Sequence, residues 1–533
     1  MPEHETPDTP PAAGASENGN DTSATQEMLF VVSNRRSGMR SEDALKRSRE
    51  ALDFSFSRVL AADVDVLHDI APKEEDARRV TLVKGDPADV ARRMGELHPD
   101  VLVEVFVPRQ PQYYESLAVH ALDAAVGPKA ADPGAGATLR LRLQLGDRPA
   151  PRASVTVYLQ SKNTPNQLTV TRAVANDAGQ ADAPYDSYAW LPVAAHIEPA
   201  AGAWDILLKP VADGQTISLP PIVQSVSVGW WAQLTGATSY AADRGKGIHV
   251  GVVDTGVGPH PYLQHVHRIG AFSRGVADPK PDATNDVARH GTHVSGIIGA
   301  RPTVEQDFGG IAAGVDLFVA RVFPNGTQGA GQGEIAMAVE ALSVDHGAHL
   351  INLSLGGAAS VIEADAIQFA LEHGTLCLAA AGNDSGAPIL YPAALQNVVA
   401  ISAIGMPGVI PPQAVEALNQ PTTPDKWSPA GLYFASFSNV GVQMGAAAPG
   451  DGIISTVPVQ PGFDQPYLPM SGTSMACPVA TATLAVLLSK DAAYKAMNPD
   501  AQRAGRARQI FQTRLVNLGL AQVYQGGGLV RQL

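Results

Sequence analysis

Short, continuously apolar runs recur along the C-terminal part of the chain, and stretches with helical spacing separate them. The runs have the length of strands and cover residues 248–253, 317–322, 350–355, 376–380 and 398–404. Between them, residues 334–346 and 362–373 place apolar side chains at helical spacing. Strands that are apolar on both faces and alternate with helices are typical of a parallel sheet with helices on both sides. The pattern therefore predicts an α/β fold with a doubly wound, mostly parallel sheet over residues 222–533.

A different pattern precedes this region. Residues 138–145 alternate strictly between apolar and polar side chains, which predicts a half-buried antiparallel strand. Further runs of strand length follow at 154–159, 168–171 and 204–208, with Gly, Asn, Asp and Pro between them. Short strands separated by turn residues favour a small β-sandwich over residues 138–221.

The N-terminal part of the chain divides into three segments. Residues 1–26 are rich in Pro, Glu, Asp, Gly, Ser and Thr and lack apolar periodicity, so we expect a disordered tail. Residues 27–116 combine apolar runs of strand length with a helix that begins at an Asp-Pro pair, which predicts a small α+β domain. Residues 117–137 end in a run of Asp, Pro, Gly and Ala and are predicted to be a linker.

Three motifs in the C-terminal region carry polar side chains suited to catalysis. Asp254 follows an apolar run, His290 stands at the head of a helix of small residues, and Ser474 lies where a loop enters an apolar helix. A serine that attacks a carbonyl needs a base to take its proton and a buried carboxylate to orient that base. The positive end of a helix at Ser474 would also stabilise a developing oxyanion.

In the order Asp254, His290 and Ser474, and in the residues around each, the chain resembles the subtilisin-like serine proteases, the subtilases of the peptidase S8 type. The resemblance implies that Ser474 is the nucleophile, that His290 is the general base and then the general acid, and that Asp254 orients the imidazole. It also implies an oxyanion hole formed by the Asn383 side-chain amide and the backbone N–H of Ser474. Without the resemblance, Asn383 would be interpreted more simply as a turn residue after a strand.

The same resemblance implies where an extended substrate would bind. Two backbone edges, one at Ser354, Leu355 and Gly356 and the other at Gly329 and Gly331, match the segments that hold a substrate as an added strand. Residues 27–116 resemble the family's propeptide, which assists folding and inhibits the protease with its C-terminal tail. The alternative for this unit is an unrelated ferredoxin-like domain.

The chain departs from the family pattern after the aspartate motif. Where many subtilases have His-Pro-Asp-Leu, this chain has Tyr262 in place of the aspartate, which removes an oxygen ligand of a common calcium site. The chemistry needs no cofactor, and no metal is expected; a structural calcium ion is possible but is not supported by the sequence. We expect His293 to pack beside His290. Residues 406–433 are expected to form a surface loop, with a role in substrate access as the alternative.

Composition narrows the choice of partners. The 533 residues carry a formal net charge of -14 without a basic patch, which argues against nucleic acid. The chain has no apolar run of about 18 residues, so no membrane span is expected.

No signal peptide is visible and the chain has only two cysteines, Cys377 and Cys477, so we expect a cytoplasmic protein. We give little weight to a disulfide bridge between these two cysteines. His260, His265 and His267 fit no zinc pattern and are expected in loops and on the surface.

These features predict a serine endopeptidase that hydrolyses protein or peptide substrates through an Asp-His-Ser triad and an acyl-enzyme intermediate. The N-terminal region is expected to bind the catalytic domain in cis and inhibit it. Two alternatives stay open: an inactive scaffold or binding protein with a protease fold, and a dedicated maturase of one cognate protein. The sequence favours neutral or apolar P1 side chains, and it does not specify the natural substrate, any cleavage point in the N-terminal region or the oligomeric state.

Overall fold

A computed structural model describes residues 27–57, 64–70, 74–94, 97–112, 117–126, 131–223, 228–273, 276–326, 329–463 and 466–532. The tail predicted for residues 1–26 lies outside these ranges, as does the end of the α+β domain predicted at residue 116. We name three parts of the described chain: the N-terminal unit (27–105), the middle module (131–223) and the C-terminal domain (228–532).

The N-terminal unit folds around one antiparallel sheet. Its elements are β1 (Met28–Asn34), α1 (Glu42–Ser55), β2 (Asp65–Ile70), β3 (Val80–Gly85), α2 (Pro87–Met94) and β4 (Val101–Val105), and the strand order is β2-β3-β1-β4. Alternation along β1 separates the two faces of the sheet. Phe30 and Val32 pack in the unit's own core, whereas Val31 packs among side chains of the C-terminal domain. One face of this sheet is therefore docked on the rest of the protein.

The segment predicted to be a linker, residues 117–137, begins with a helix. The two-residue strand β5 (Gln110–Pro111) is followed by α3 (Leu117–Val126), which consists mostly of good helix formers. Val119 is buried, and the Asp123 carboxylate accepts a hydrogen bond of 2.7 Å from the Tyr158 hydroxyl of the middle module. The first half of the predicted linker is thus helical and docked.

The middle module consists of two sheets that share one apolar core. Its strands are β6 (Ala137–Leu145), β7 (Arg148–Pro149), β8 (Ser154–Ser161), β9 (Leu168–Val174), β10 (Gln180–Tyr185), β11 (Trp190–Glu198), β12 (Ile206–Leu208) and β13 (Gln215–Ser218). One sheet has the order β10-β6-β13, with β7 beside β6, and the other has the order β12-β11-β8-β9. Leu141, Val157 and Ile217 lie in the shared core, whereas Arg140 and Arg142 on either side of Leu141 are exposed. Residues 138–145 alternate between apolar and polar side chains because one face of β6 packs in this core and the other faces solvent.

The C-terminal domain is built on one sheet, in which most strand pairs are parallel. Its strands are β14 (His249–Asp254), β15 (His267–Ser273), β16 (Val276–Asp278), β17 (Asp316–Arg321), β18 (Leu350–Leu353), β20 (Leu376–Ala380), β21 (Val399–Gly405), β22 (Tyr433–Phe434), β23 (Met444–Pro449), β26 (Leu515–Val516) and β27 (Leu529–Val530). Their order is β16-β15-β17-β14-β18-β20-β21-β23-β27-β26, with β22 beside β21. The pairs from β15 to β27 along this order are parallel. Short strands β19 (Leu355–Gly356), β24 (Ile453–Thr456) and β25 (Tyr467–Met470) lie outside this sheet.

Helices cover both faces of the sheet, as the continuous apolar strands predict. They are α4 (Trp230–Leu234), α5 (His290–Gly299), α6 (Gln332–Glu340), α7 (Val361–Glu372), α8 (Thr473–Lys490), α9 (Ala492–Lys495), α10 (Ala501–Thr513) and α11 (Gln522–Gln525). Helices α5, α8 and α10 share one apolar cluster with Val252, and α6 and α7 share another with Val253. By length and composition α8 could cross a membrane, but 89% of it is buried inside the molecule, so it serves as the central core helix.

Residues 406–433 form only in part the surface loop that their composition suggested. Val415, Asn419 and Leu432 are buried, and the Val415 N–H donates a 3.0 Å hydrogen bond to the Asp205 carbonyl of the middle module. Four of the six prolines in this stretch are nevertheless exposed, so the stretch is buried only in part. We call residues 406–433 the joint, because they pack between the middle module and the C-terminal domain.

Buried histidines make the fold sensitive to acid. Burial lowers the pKa of His260 and His265 to about 4 and the pKa of His293 and His349 to about 3. His260, expected on the surface, is only 4% exposed. An unfolded chain takes up protons on these rings below about pH 6.5, whereas the folded chain does not. The free energy of unfolding should therefore be highest above about pH 6.5 and fall as the pH falls towards about 4.

Urea unfolding between about pH 7.5 and pH 4.5 measures this loss, with at most about 1.4 kcal/mol per pH unit from each histidine. His260→Phe keeps an aromatic ring against Tyr262 and Tyr467. It should reduce the slope of the free energy of unfolding against pH by up to the contribution of one histidine. Replacing the exposed His267 by Gln is the control and should leave the slope unchanged. Equal slopes for His260→Phe and the wild type would contradict the prediction.

Candidate active site

Three elements of the C-terminal domain bring Asp254, His290 and Ser474 to the carboxyl edge of the sheet. Asp254 is the last residue of β14, His290 is the first residue of α5, and Ser474 is the second residue of α8. All three side chains are at most 1% exposed. His290 Nδ1 lies 2.7 Å from Asp254 Oδ1, which also accepts a 2.7 Å hydrogen bond from the Thr255 N–H. The carboxylate and the imidazole therefore form the hydrogen-bonded pair that the sequence predicted.

The start of α5 is fixed by two side chains, that of Thr255 directly after β14 and that of Asp286 shortly before α5. The Gly291 N–H donates to Thr255 Oγ1 (2.8 Å), and that hydroxyl donates to the Asp286 carboxylate (2.8 Å). Asp286 also accepts the Thr292 N–H at 2.8 Å, so a carboxylate occupies the positive end of the helix. This network ties the turn after Asp254 to the first turn of α5 and sets the distance between Asp254 and His290.

A buried amide lies beside the serine. Asn383 Oδ1 accepts hydrogen bonds of 2.9 Å from both the N–H and the hydroxyl of Thr473, the residue before Ser474. Its Nδ2 group is buried and has no hydrogen-bond partner among the described residues. An unsatisfied buried donor is costly, and functional sites are where such groups are found. The Ser474 hydroxyl itself donates to the Ser354 carbonyl at 2.9 Å.

The chain's own residues 109–112 occupy the groove in front of Ser474. Pro111 and Gln110 pair antiparallel with Leu355 and Gly356, and the Gln112 N–H donates to the Ser354 carbonyl at 3.2 Å. We call residues 109–112 the inserted segment. The predicted edge at 354–356 thus binds an extended backbone as an added strand.

The end of the inserted segment points its carbonyl at the serine. The Ser474 N–H donates a 2.9 Å hydrogen bond to the Gln112 carbonyl oxygen. Because the inserted segment pairs as an extended strand, the Gln112 carbonyl lies against the backbone N–H of Ser474. A scissile carbonyl takes this position in acyl transfer. The resemblance implied inhibition by the C-terminal tail of residues 27–116, but nothing in the pattern of residues 109–112 marks them as the part of that tail that enters the groove.

The second predicted edge is shifted by one residue. Ala330, between the two predicted glycines, exchanges two hydrogen bonds with Arg109, at 2.8 and 3.0 Å. Gly329 lies against the Arg109 carbonyl, where a Cβ would collide. Gly331 follows Ala330 as the N-cap of α6, and its assignment to the substrate edge stays a prediction. The two glycines, which are two residues apart, indicated where the edge lies. Only the structure shows that the residue between them forms the backbone hydrogen bonds to the inserted segment.

Buried ion pairs hold the N-terminal unit and the inserted segment on α6 and α7. Arg109 Nε donates to Glu363 at 2.8 Å with both side chains buried, and burial raises the pKa of Glu363 to about 7 against the charge of Arg109. Arg78 donates to Glu340 and Asp365, at 2.6 Å to each. These three contacts are among the arginine–carboxylate contacts that cross this interface, and their partners are out of water.

A cavity of about 200 Å³ opens beside His290. Glu198 and Asp205 of the middle module line it together with Glu416 of the joint. Burial, followed by the charge of Asp205, raises the pKa of Glu198. The middle module therefore supplies one wall of the space next to the candidate triad.

The remaining candidate ligands and nucleophiles are packed groups. His293 Nε2 lies 3.0 Å from the Leu468 carbonyl in a fully buried site, which agrees with the packing expected for it. The Tyr262 hydroxyl donates to the buried Asp307. Cys377 and Cys477 are buried and unbridged. Within the ranges that the structure describes, no group of three or more His, Cys, Asp or Glu side chains is arranged to hold a metal ion.

Comparisons with known proteins match the C-terminal domain. A model of the subtilase family matches residues 245–518. The chain is 31% identical over 310 residues to the minor extracellular protease Epr of Bacillus subtilis (57% of this chain, 39% of that protein). It is 30% identical over 253 residues to the major intracellular serine protease of the same species (46% and 70%), and 30% identical over 282 residues to subtilisin Savinase of Lederbergia lenta (52% and 89%).

One solved structure resembles nearly the whole chain. The crystal structure of fervidolysin from Fervidobacterium pennivorans, described as a keratinolytic enzyme related to subtilisin, superposes with a TM-score of 0.56. The match covers 96% of this chain and 61% of fervidolysin at 19% sequence identity. At this identity the likeness concerns the fold alone.

Proposed function

Since the chain belongs to the subtilase family of serine proteases, we propose that it is a serine endopeptidase whose groove is filled by its own inserted segment until that segment is cut. One observation carries the proposal: the Gln112 carbonyl accepts the Ser474 N–H at 2.9 Å while residues 109–112 pair as a strand with both edges of the groove. Gln112 lies within the chain, with residues before and after it in the sequence, which supports cleavage within a chain rather than at an end.

The proposed reaction begins with attack by Ser474 Oγ on the scissile carbonyl carbon. His290 accepts the hydroxyl proton as the C–O bond forms, and the negative charge moves to the carbonyl oxygen. The Ser474 N–H and the Asn383 amide donate to this oxyanion. His290 then gives the proton to the leaving amine, the C–N bond breaks and an acyl-enzyme remains. Water activated by His290 hydrolyses the ester in the reverse sequence of proton transfers.

Asp254 acts on the imidazole. Its carboxylate accepts Nδ1–H of His290, which leaves Nε2 as the basic atom and stabilises the imidazolium that forms during each step. Because Asp254 also accepts the Thr255 N–H, its orientation is fixed before the substrate binds.

The bond that follows Gln112 is the proposed site of self-cleavage. Gln112 occupies the P1 position, which suits the preference for neutral or apolar P1 side chains expected from the sequence. The N-terminal unit would remain bound after the cut through Arg78, Arg109 and their carboxylate partners. Substrate residues beyond the scissile bond would meet the wall formed by the middle module.

Intact-mass analysis of the wild type and Ser474→Ala, each with and without a fluorophosphonate probe, tests the proposal. We expect wild-type chains to be cut after Gln112 and to take up one probe molecule once the cut fragment has dissociated from the groove, and Ser474→Ala to stay full length and unlabelled. A wild type that stays full length and unlabelled, both intact and after deletion of residues 1–112, would contradict a peptidase and favour an inactive scaffold. Cleavage of a single protein among many diverse candidates would point instead to a dedicated maturase.

Asn383→Leu should lower kcat about 10²- to 10³-fold and leave KM nearly unchanged, because a lost oxyanion donor costs this much in transition-state stabilisation alone. The branched apolar side chain of leucine fills the space of the amide, but it neither donates to the oxyanion nor accepts the two hydrogen bonds from Thr473. Peptide hydrolysis per probe-titrated site is the measurement. Asn397→Leu, which removes an amide bonded to Gln368 at 3.1 Å away from the groove, is the matched control. A kcat within about twofold of the wild type for Asn383→Leu would exclude the assigned role.

A further inference from the structure

A second buried carboxylate lies on the far side of the loop that carries Ser474. Asp451 is fully buried, and its two oxygens accept three hydrogen bonds. Oδ1 accepts from Asn419 Nδ2 at 3.0 Å and from the Ser471 hydroxyl at 2.6 Å, and Oδ2 accepts from the Tyr433 hydroxyl at 2.7 Å. These three donors are neutral. A carboxylate kept in a fully buried position by neutral donors is costly to retain, which suggests that it has a task beyond stability.

The segment that carries Asp451 clamps the nucleophile loop at adjacent points. The Gly450 carbonyl accepts the Gly472 N–H at 2.8 Å, and the Gly452 N–H donates to the Ser471 hydroxyl at 2.9 Å. A Cβ on Gly450 would lie 2.8 Å from the Gly472 carbonyl oxygen, so the two backbones touch. Ser471 is thereby held by Asp451 and Gly452 together, three residues before Ser474.

The opposite side of the same loop is held by Asn383, through the N–H and hydroxyl of Thr473. The loop is therefore fixed from two sides before α8 begins. Asn383 has a chemical role in the proposed reaction, whereas Asp451 contacts neither the groove nor the inserted segment in any hydrogen bond of the described structure. Its contribution must pass through Ser471.

We propose that Asp451 is a positioning residue for the nucleophile: by fixing the Ser471 hydroxyl it sets the course of residues 471–474 and so aims both the hydroxyl and the N–H of Ser474. The inference rests on the proposed peptidase function and adds to it a residue that holds the loop from behind. A displacement of about 1 Å at a reacting group can cost up to about a hundredfold in rate, so a clamp on the loop acts on kcat.

The proposal also gives the joint a part in catalysis. Two of the three donors to Asp451, Asn419 and Tyr433, belong to residues 406–433. Four residues before Asn419, the Val415 N–H is bonded to the Asp205 carbonyl of the middle module. The joint is thus hydrogen-bonded to the middle module at Val415 and, four residues further along, to the carboxylate that holds the nucleophile loop.

Two tyrosine-to-phenylalanine variants separate positioning from simple stability. Tyr433→Phe removes one phenol hydroxyl from Asp451, and Tyr262→Phe removes one from Asp307, which is equally part of a buried pair but lies away from the nucleophile loop. Tyr433 is itself fully buried and does not reach the groove, so its loss changes no substrate contact. Both variants are measured in the full chain after self-cleavage, with kcat and KM per fluorophosphonate-titrated site.

We expect Tyr433→Phe to lower kcat about tenfold with KM unchanged, and Tyr262→Phe to lower the thermal midpoint without changing kcat. Ser471→Ala, which removes the bond to Asp451 from the other side, should reproduce the loss if Tyr433→Phe does not fold. Wild-type kcat in both Tyr433→Phe and Ser471→Ala would overturn the positioning role while leaving the peptidase intact. A wild type and a Tyr262→Phe variant that are both inactive would overturn the proposed function, and with it this inference.

Discussion

Replacing Asp254 by asparagine is expected to lower kcat about 10⁴-fold while the protein keeps its fold and its KM. Asp254 Oδ1 accepts the N–H of Thr255 and faces His290 Nδ1, both at 2.7 Å, with every partner buried. An asparagine fits the same space, but its amide nitrogen donates where the carboxylate accepts. The imidazole then places its proton on the wrong nitrogen and gains no counter-charge when it becomes protonated.

Hydrolysis of a peptide substrate over a range of pH, per probe-titrated site, measures this effect. Asp316→Asn is the matched control, because Asp316 lies 3.8 Å from His249 in a half-exposed Asp-His pair, beside the start of β14 rather than its end. Its kcat should equal that of the wild type. An Asp254→Asn variant that retained more than about a tenth of the wild-type kcat would show that Asp254 does not orient the base.

Replacing Arg78 by methionine is expected to weaken the hold of the N-terminal unit by about 3–5 kcal/mol, which is more than about a hundredfold in a dissociation constant. Arg78 is 1% exposed and donates to Glu340 at 2.8 and 2.6 Å and to Asp365 at 2.6 Å. Although burial acts to raise it, the Arg78 charge holds the pKa of Asp365 below its ordinary value. Methionine fills the space but leaves the two carboxylates buried with less positive charge.

Native mass spectrometry of the self-cleaved protein after dilution gives the fraction of N-terminal fragment still bound. Arg79→Met serves as the control, because Arg79 pairs with Asp53 and Asp69 inside the N-terminal unit and does not cross the interface. We expect rapid loss of the fragment from Arg78→Met and wild-type retention in Arg79→Met. Equal retention in both variants would mean that the Arg78 ion pairs are not what holds the unit.

The parallel sheet could be predicted from short-range pattern, whereas the candidate triad was assigned by resemblance to the subtilases at motifs that are themselves local. A strand that is buried on both faces must be apolar throughout, and a polar residue such as Asp254 at its carboxyl end then stands out against that run. His290 and Ser474 are each marked by the small residues around them, which the close packing of α5 and α8 requires. These signals need no knowledge of which segment lies beside which.

The features that sequence reasoning missed all depend on contacts between distant segments. Nothing local to Gln110 and Pro111 shows that they pair with Leu355 and Gly356, more than two hundred residues away. Similarly, the joint is polar and rich in proline, and its burial follows from the middle module packing against it. Asp451 follows a Pro-Gly pair and looks like an ordinary turn residue until Tyr433 and Ser471 are found at its two oxygens.

The proposed inhibition by a segment of the same chain has a consequence for the dosage of activity. Each molecule would be made with one equivalent of its own inhibitor, so synthesis alone would not raise activity in a compartment where fragments and enzyme stay together. Once the bond after Gln112 is cut, the fragment leaves by a first-order step and returns by a second-order one. Dilution, or digestion of a departed fragment by an enzyme already open, then decides when a population switches on. Such a population should respond to its own concentration with a lag followed by a sharp rise, rather than in proportion to the amount of protein present.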